Sequence, residues 1–270
     1  MLVDRVRRRR VFLLSGLSAA LAALTSASTL ADVEVYANAI EPGLLLGTLG
    51  FDVMSLAVSL ALIGCLWALE GRRERFWLVW LGLQAYLLYA YAIFTFGLIY
   101  TRFYFLYIAI VGLSAYALAG FALHFDARML RQWHLARLPR RVMGAALLII
   151  AAVFALGWIT MLAGAIRRAS YIPGAIVLAL DLGFVLPLLA LVGTLLYRRR
   201  ALGDFLAPGV FAMSAAVTLA VAIGETLRPF FGHAFSPLLA TPYLVPGGVS
   251  LVFALLAFRR VGPSISHSKV

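Results

Sequence analysis

Lysine is almost missing from this chain: Lys269 is the one lysine, against 22 arginines. No apolar run contains a lysine, which excludes a retinal Schiff base. Cysteine is equally rare. Cys65 stands alone inside an apolar run, so neither an intramolecular disulfide nor a CxxC redox pair can form. The four histidines, at positions 124, 134, 233 and 267, fall in loops or near the ends. That placement argues against a transmembrane bis-histidine haem and against the histidine boxes of di-iron membrane enzymes. GxSxG, P-loop, HExxH and paired-aspartate motifs are also missing. His124, Asp126 and His134 read as scattered polar residues of an interfacial loop, because metal ligation needs converging geometry. No metal and no cofactor is expected.

Charge is scarce as well. Charged residues make up 13% of the chain, against about 25% in an ordinary soluble domain. Hydrophobic residues make up 64%, and the mean hydropathy is +0.99. What fills the chain is a series of continuous apolar runs, each long enough to cross a hydrocarbon core of roughly 30 Å. The alternating ten-residue pattern of a membrane barrel is not seen. The expected fold is all-α, a polytopic transmembrane helix bundle forming a single integral membrane domain over residues 1–270. Eight spans are expected at about 11–32, 44–69, 76–98, 103–123, 143–164, 174–197, 205–227 and 239–258.

The net charge of +12 follows from topology, not from nucleic-acid binding. With the N-terminus in the cytoplasm, 19 of the 23 basic residues fall in cytoplasmic segments. The other four are Arg102, Arg167, Arg168 and Arg228. The positive-inside rule therefore places both termini in the cytoplasm of a cytoplasmic (inner) membrane. RVRRRR followed by VFLLSGLSAALAAL also resembles a signal peptide, with TLA before Asp32 as a cleavage site. Cleavage would leave seven spans. The apolar run continues to Ala31 and is long enough to anchor, so retention is the expectation. The stretch HFDARMLRQWHLARLPRR, the longest cytoplasmic loop, interleaves arginines with Met129, Leu130, Trp133, Leu135 and Leu138, as suits an anionic leaflet.

Intramembrane acids are costly and few. Asp52, Asp181 and Glu225 lie in the outer halves of spans two, six and seven, with Arg228 able to pair with Glu225. Thr48, Asp52, Ser55 and Ser59 share one helical face; Ser214, Thr218 and Glu225 share another. Gln84, Tyr91 and Thr95 form a third stripe, with Tyr86 and Tyr89 beside it. Tyr100, Phe103 and Tyr104 suit an interfacial aromatic belt. Pro187, shortly after Asp181, predicts a kink, and TPYLVPGG predicts a second broken helix in span eight. Gly43 and Gly47 have GxxxG spacing.

These polar faces are open to two readings. They are interhelical hydrogen-bond glue, or they line an outward-facing polar pocket for a small solute or proton. The pocket candidates are Asp52, Asp181, Glu225, Tyr89, Gln84 and Ser55. A transporter-like or solute-binding protein is the leading expectation. A membrane-embedded enzyme acting on a lipid or isoprenoid is the second, and a structural or accessory subunit the third. The lipid bilayer is the expected partner, with a homo-oligomer or protein partner left open.

QAYLLYAYAIFTFG followed by RFYFLYIAIVGLSAYAL, and LDLGFVLP followed by an RRR loop, resemble a group of uncharacterised bacterial multi-pass membrane proteins. The resemblance reaches from span two to span seven. It implies membrane localisation and a recurring Asp52 and Asp181 pattern, and it implies no activity.

Overall fold

A computed structural model describes residues 5–71, 73–125, 133–135 and 139–263. The chain is an all-α polytopic bundle, with eight helices among the described residues long and apolar enough to cross a membrane. In chain order they are α1 (Arg5–Ala31), α2 (Leu45–Glu70), α3 (Phe76–Phe96), α4 (Tyr104–His124), α5 (Arg140–Arg168), α6 (Ala175–Tyr197), α7 (Ala201–Leu227) and α8 (Pro237–Arg260). The short segments Trp133–Leu135 (β1) and Val261–Pro263 (β2) pair antiparallel beyond the helix ends. Most of the arginine-rich loop before α5 lies outside the described residues, as do Lys269 and His267.

Helices α3 and α7 are the most enclosed and pack on each other through backbone. Trp77, Trp80, Tyr86 and Tyr91 of α3 are fully buried. Helix α2 packs on both members of this pair, α4 packs on α3, and α6 and α8 pack on α7, while α1 lies against α2 and α4, and α5 against α6. Their outer faces carry Leu13, Trp67, Phe105, Tyr116, Ile149 and Leu156, all exposed, as lipid contact requires. Without a hydrophobic drive between helices in lipid, close packing rests on small residues. Gly82 and Gly209 meet at the α3–α7 crossing, where a Cβ on Gly209 would lie 2.6 Å from the Leu78 carbonyl. Of the GxxxG pair only Gly47 lies beside Gly224 of α7, and a Cβ on either Gly43 or Gly47 would meet open space.

Two sequence features shape α6 and α8. In α6 the α-helical segment Ala175–Leu180 gives way to one π-helical turn, Asp181–Val185, before Leu186–Tyr197 resumes. The Leu186 N–H donates to the Asp181 carbonyl five residues back. Pro187 follows at once and has no N–H, so the widened turn absorbs the lost hydrogen bond. The expected break at TPYLVPGG does not occur. Helix α8 runs unbroken through Pro242 and Pro246. Proline φ is already helical, so the cost is a missing donor and local bending, which neighbouring helices can hold. Gly247 there admits the Leu219 and Thr218 side chains, the latter 2.9 Å from where its Cβ would be.

Helix α1 is an integral part of the bundle. Ser15, Ser18, Thr25, Ser26 and Thr29 fall on its buried face. Trp80 Nε1 donates to Ser15 Oγ at 3.1 Å, and Gln84 Nε2 to Ser18 Oγ at 3.0 Å. The Tyr91 hydroxyl lies 2.9 Å from Thr25 Oγ1 and 3.1 Å from Ser26 Oγ. Arg8 pairs with Glu74 at 3.1 Å at the other end. Losing α1 would strip partners from three fully buried side chains of α3, Trp80, Gln84 and Tyr91. We therefore expect α1 to remain in the mature membrane protein, as N-terminal sequencing or intact mass would show.

Candidate functional site

A cavity of about 380 Å³ opens among α2, α3, α5, α6, α7 and α8. It lies toward the face opposite the ends of α1 and α8 that carry Arg8 and Arg260. Its floor is built by Phe51, Tyr89, Ile150, Leu189 and Ser214. Leu189 is fifteen residues beyond Gly174 at the α6 entry, roughly 22 Å at 1.5 Å per residue, which carries the floor past the middle of the 23-residue span. The volume falls in the range of small-molecule sites, about 300–1,000 Å³.

One buried carboxylate sits in the cavity wall, apart from Glu41 at the exposed mouth. Asp181 is 7% exposed. The Tyr89 hydroxyl donates to its Oδ1 at 2.7 Å, and Trp158 Nε1 donates to its Oδ2 at 2.8 Å. Three helices thus fix one acid: α6 supplies it, α3 and α5 hold it. Both donors are neutral, and each oxygen keeps a lone pair for another partner. The π turn begins at this residue, and such turns recur where side chains must be re-aimed for function. Trp158 was not among the sequence candidates. A single tryptophan in an apolar run carries no polar periodicity, and its role emerges only from the packing of α5 on α6.

Asp52 occupies a different environment. It is 1% exposed and is absent from the cavity lining. The Tyr36 hydroxyl donates to Asp52 Oδ2 at 2.7 Å, while Ser26 and Thr29 of α1 face the same carboxylate. Tyr36 belongs to the turn Val33–Tyr36, which folds back between α1 and α2 and buries its ring to 1% exposure. Burial, and then the nearby Asp52 charge, hold the Tyr36 phenol far above its ordinary range, so it stays a donor. Tyr107 adjoins the Tyr36 hydroxyl and accepts from Thr101 Oγ1 at 3.0 Å. Asp52 is therefore sealed by hydroxyls. The expected meeting of Asp52 with Asp181 does not take place; the Phe51 ring, 6.3 Å from that of Tyr89, lies on the cavity side.

The remaining candidates also separate. Ser55 lies 3.4 Å from the Tyr86 hydroxyl, which donates to the Phe51 carbonyl at 3.3 Å. Gln84 is committed to Ser18 on α1. Glu225 pairs with Arg228 at 3.5 Å near the end of α7 and is not in the lining. Thr48, Ser214, Thr218 and Tyr243 do line the cavity. Asp204, a further buried acid, starts α7 and pairs with Arg140 at 3.0 Å, on the opposite face from the cavity mouth. Among the described residues no cluster of His, Cys, Asp and Glu could hold a metal ion.

Gln84 gives a first prediction. Interhelical hydrogen bonds of this kind contribute about 0.6 kcal/mol on average. Gln84→Leu should therefore lower thermal stability only slightly and leave the solvent access of the cavity unchanged, as thiol labelling of cavity positions would record.

No family model, no curated protein and no solved structure matches the chain. The resemblance to bacterial multi-pass membrane proteins thus carries no further than the eight apolar helices themselves.

Proposed function

We propose that this multi-pass membrane protein binds a small solute in the cavity around Asp181 and handles it as a transporter does, with the cavity facing outward. The observation that carries this is a carboxylate presented to an open mid-span cavity and fixed by neutral donors from two neighbouring helices. An intramembrane acid is kept at a cost, and a position lining a water-filled space marks solute or ion pathways. The irregular turn at the acid belongs to the same pattern: interrupted helices line transport sites near the midplane. The arginine distribution supports an outward mouth, since the cavity opens on the face with the four remaining basic residues. Asp181 and Tyr89 form the core of the site, and Thr48, Ser214 and Thr218 supply further polar groups. Asp52, Ser55 and Gln84 serve the α1–α2–α3 interface, and Glu225 the outer end of α7.

Transport differs from passive binding in requiring access from both sides. In a Cys65→Ala background, Leu189→Cys on the cavity floor should react with an impermeant thiol reagent applied from the cavity side. A fraction should also react from the opposite side of oriented vesicles. Reaction from one side alone would reduce the proposal to solute binding. Reaction from neither side would remove it.

A further inference from the structure

We infer that the occupant of this cavity is an organic cation: a protonated amine or quaternary ammonium on an apolar, ring-sized body. The inference rests on the solute-binding proposal and specifies its ligand class. Two independent features of the lining carry it. The first is charge. Asp181 lies in the wall and Glu41 at the exposed mouth, and among the described residues no lysine, arginine or histidine lines the cavity. A carboxylate in a mostly apolar wall, held by neutral donors alone, needs a proton or a cation to neutralise it. The second is the wall chemistry. Phe51, Tyr89, Phe94, Phe154, Trp158 and Tyr243 line the space from α2, α3, α5 and α8. Aromatic faces attract desolvated cations, tryptophan most strongly, and Trp158 already touches the Asp181 carboxylate. An anionic solute would meet two acids and no counter-charge. A strongly hydrated inorganic cation would find too few oxygens, since the remaining lining is largely aliphatic or aromatic.

The test uses three probes that share one body: 4-phenylbutylamine, 4-phenylbutanol and 4-phenylbutyrate. Binding to the full-length protein in nanodiscs is followed by tryptophan fluorescence, with Trp158→Phe identifying the local signal. The amine should bind saturably and at least about tenfold more tightly than the alcohol, with the carboxylate not binding. Asp181→Asn should erase the preference for the amine while retaining the alcohol and a cooperative thermal melt. Equal binding of amine and alcohol, or an amine affinity unchanged in Asp181→Asn, overturns the cation assignment. If no probe binds while Gly47→Cys at the cavity wall reacts with an impermeant thiol reagent, the cation assignment falls and the open pocket stands. If Gly47→Cys is silent too, both fall together.

Discussion

Gly82→Leu is expected to abolish the folded protein, or to lower its stability by about 3 kcal/mol or more, beyond the usual cost of overpacking. The reason is local. A Cβ on Gly82 would penetrate the Gly209 backbone, and no side chain stands between the two helices to rotate away. Helices α3 and α7 would have to separate along the axis of the bundle, and α7 also contributes Ser214 and Thr218 to the cavity. The matched control is Gly64→Ala. Gly64 is exposed on α2 and its Cβ would meet open space, so that change should be neutral or slightly stabilising, because alanine is the better helix former. Thermal melting in detergent with fluorescence-detected size exclusion separates the two cases. Equal behaviour of both variants would mean that the α3–α7 crossing is wider than described.

Tyr36→Phe is expected to cost about 1–3 kcal/mol, because buried Asp52 Oδ2 loses its 2.7 Å donor while the neighbouring Ser26 and Thr29 hydroxyls are already engaged with Tyr91 and with the α1 backbone. Asp52 has almost no access to solvent, so no water replaces the missing hydroxyl. Tyr89→Phe makes the same chemical change at Asp181 and should cost under about 1 kcal/mol, because Trp158 still donates and the carboxylate faces an open space. The double variant Tyr36→Phe with Asp52→Leu should recover part of the loss, since removing both partners leaves less polar surface stranded. Chemical or thermal denaturation of the four proteins reads this out. A Tyr36→Phe protein as stable as wild type, with Tyr89→Phe destabilised, would reverse the assignment of the sealed and the open acid.

The helical architecture is legible in the sequence because lipid imposes a simple code: long apolar runs, few charges, arginines at alternate ends. The polar stripes also identify which residues turn inward; Thr48, Asp52, Ser55 and Ser59 are all buried. What periodicity cannot tell is which stripes face each other. The α1 hydroxyls draw Gln84 and Tyr91 toward α1, away from the cavity, and only the packing of α1 on α3 decides that. Tyr36 is invisible for another reason: VEVY lies in a connector, and its burial depends on that turn folding back under the helix ends. At TPYLVPGG local chemistry suggests a break that tertiary packing overrides. Asp204, at the start of a run, meets Arg140 only in space and carries no periodic signal.

The most direct measurement is the accessibility of single cysteines to a membrane-impermeant thiol reagent from the cavity side, in a Cys65→Ala background. Gly47→Cys suits the cavity wall, because a side chain there meets open space. Ser55→Cys suits the sealed layer, where the native hydroxyl is fully buried. An open cavity around Asp181 with a dry layer behind it predicts rapid labelling at position 47 and none at position 55. Silence at position 47, or equal labelling at both, would contradict it.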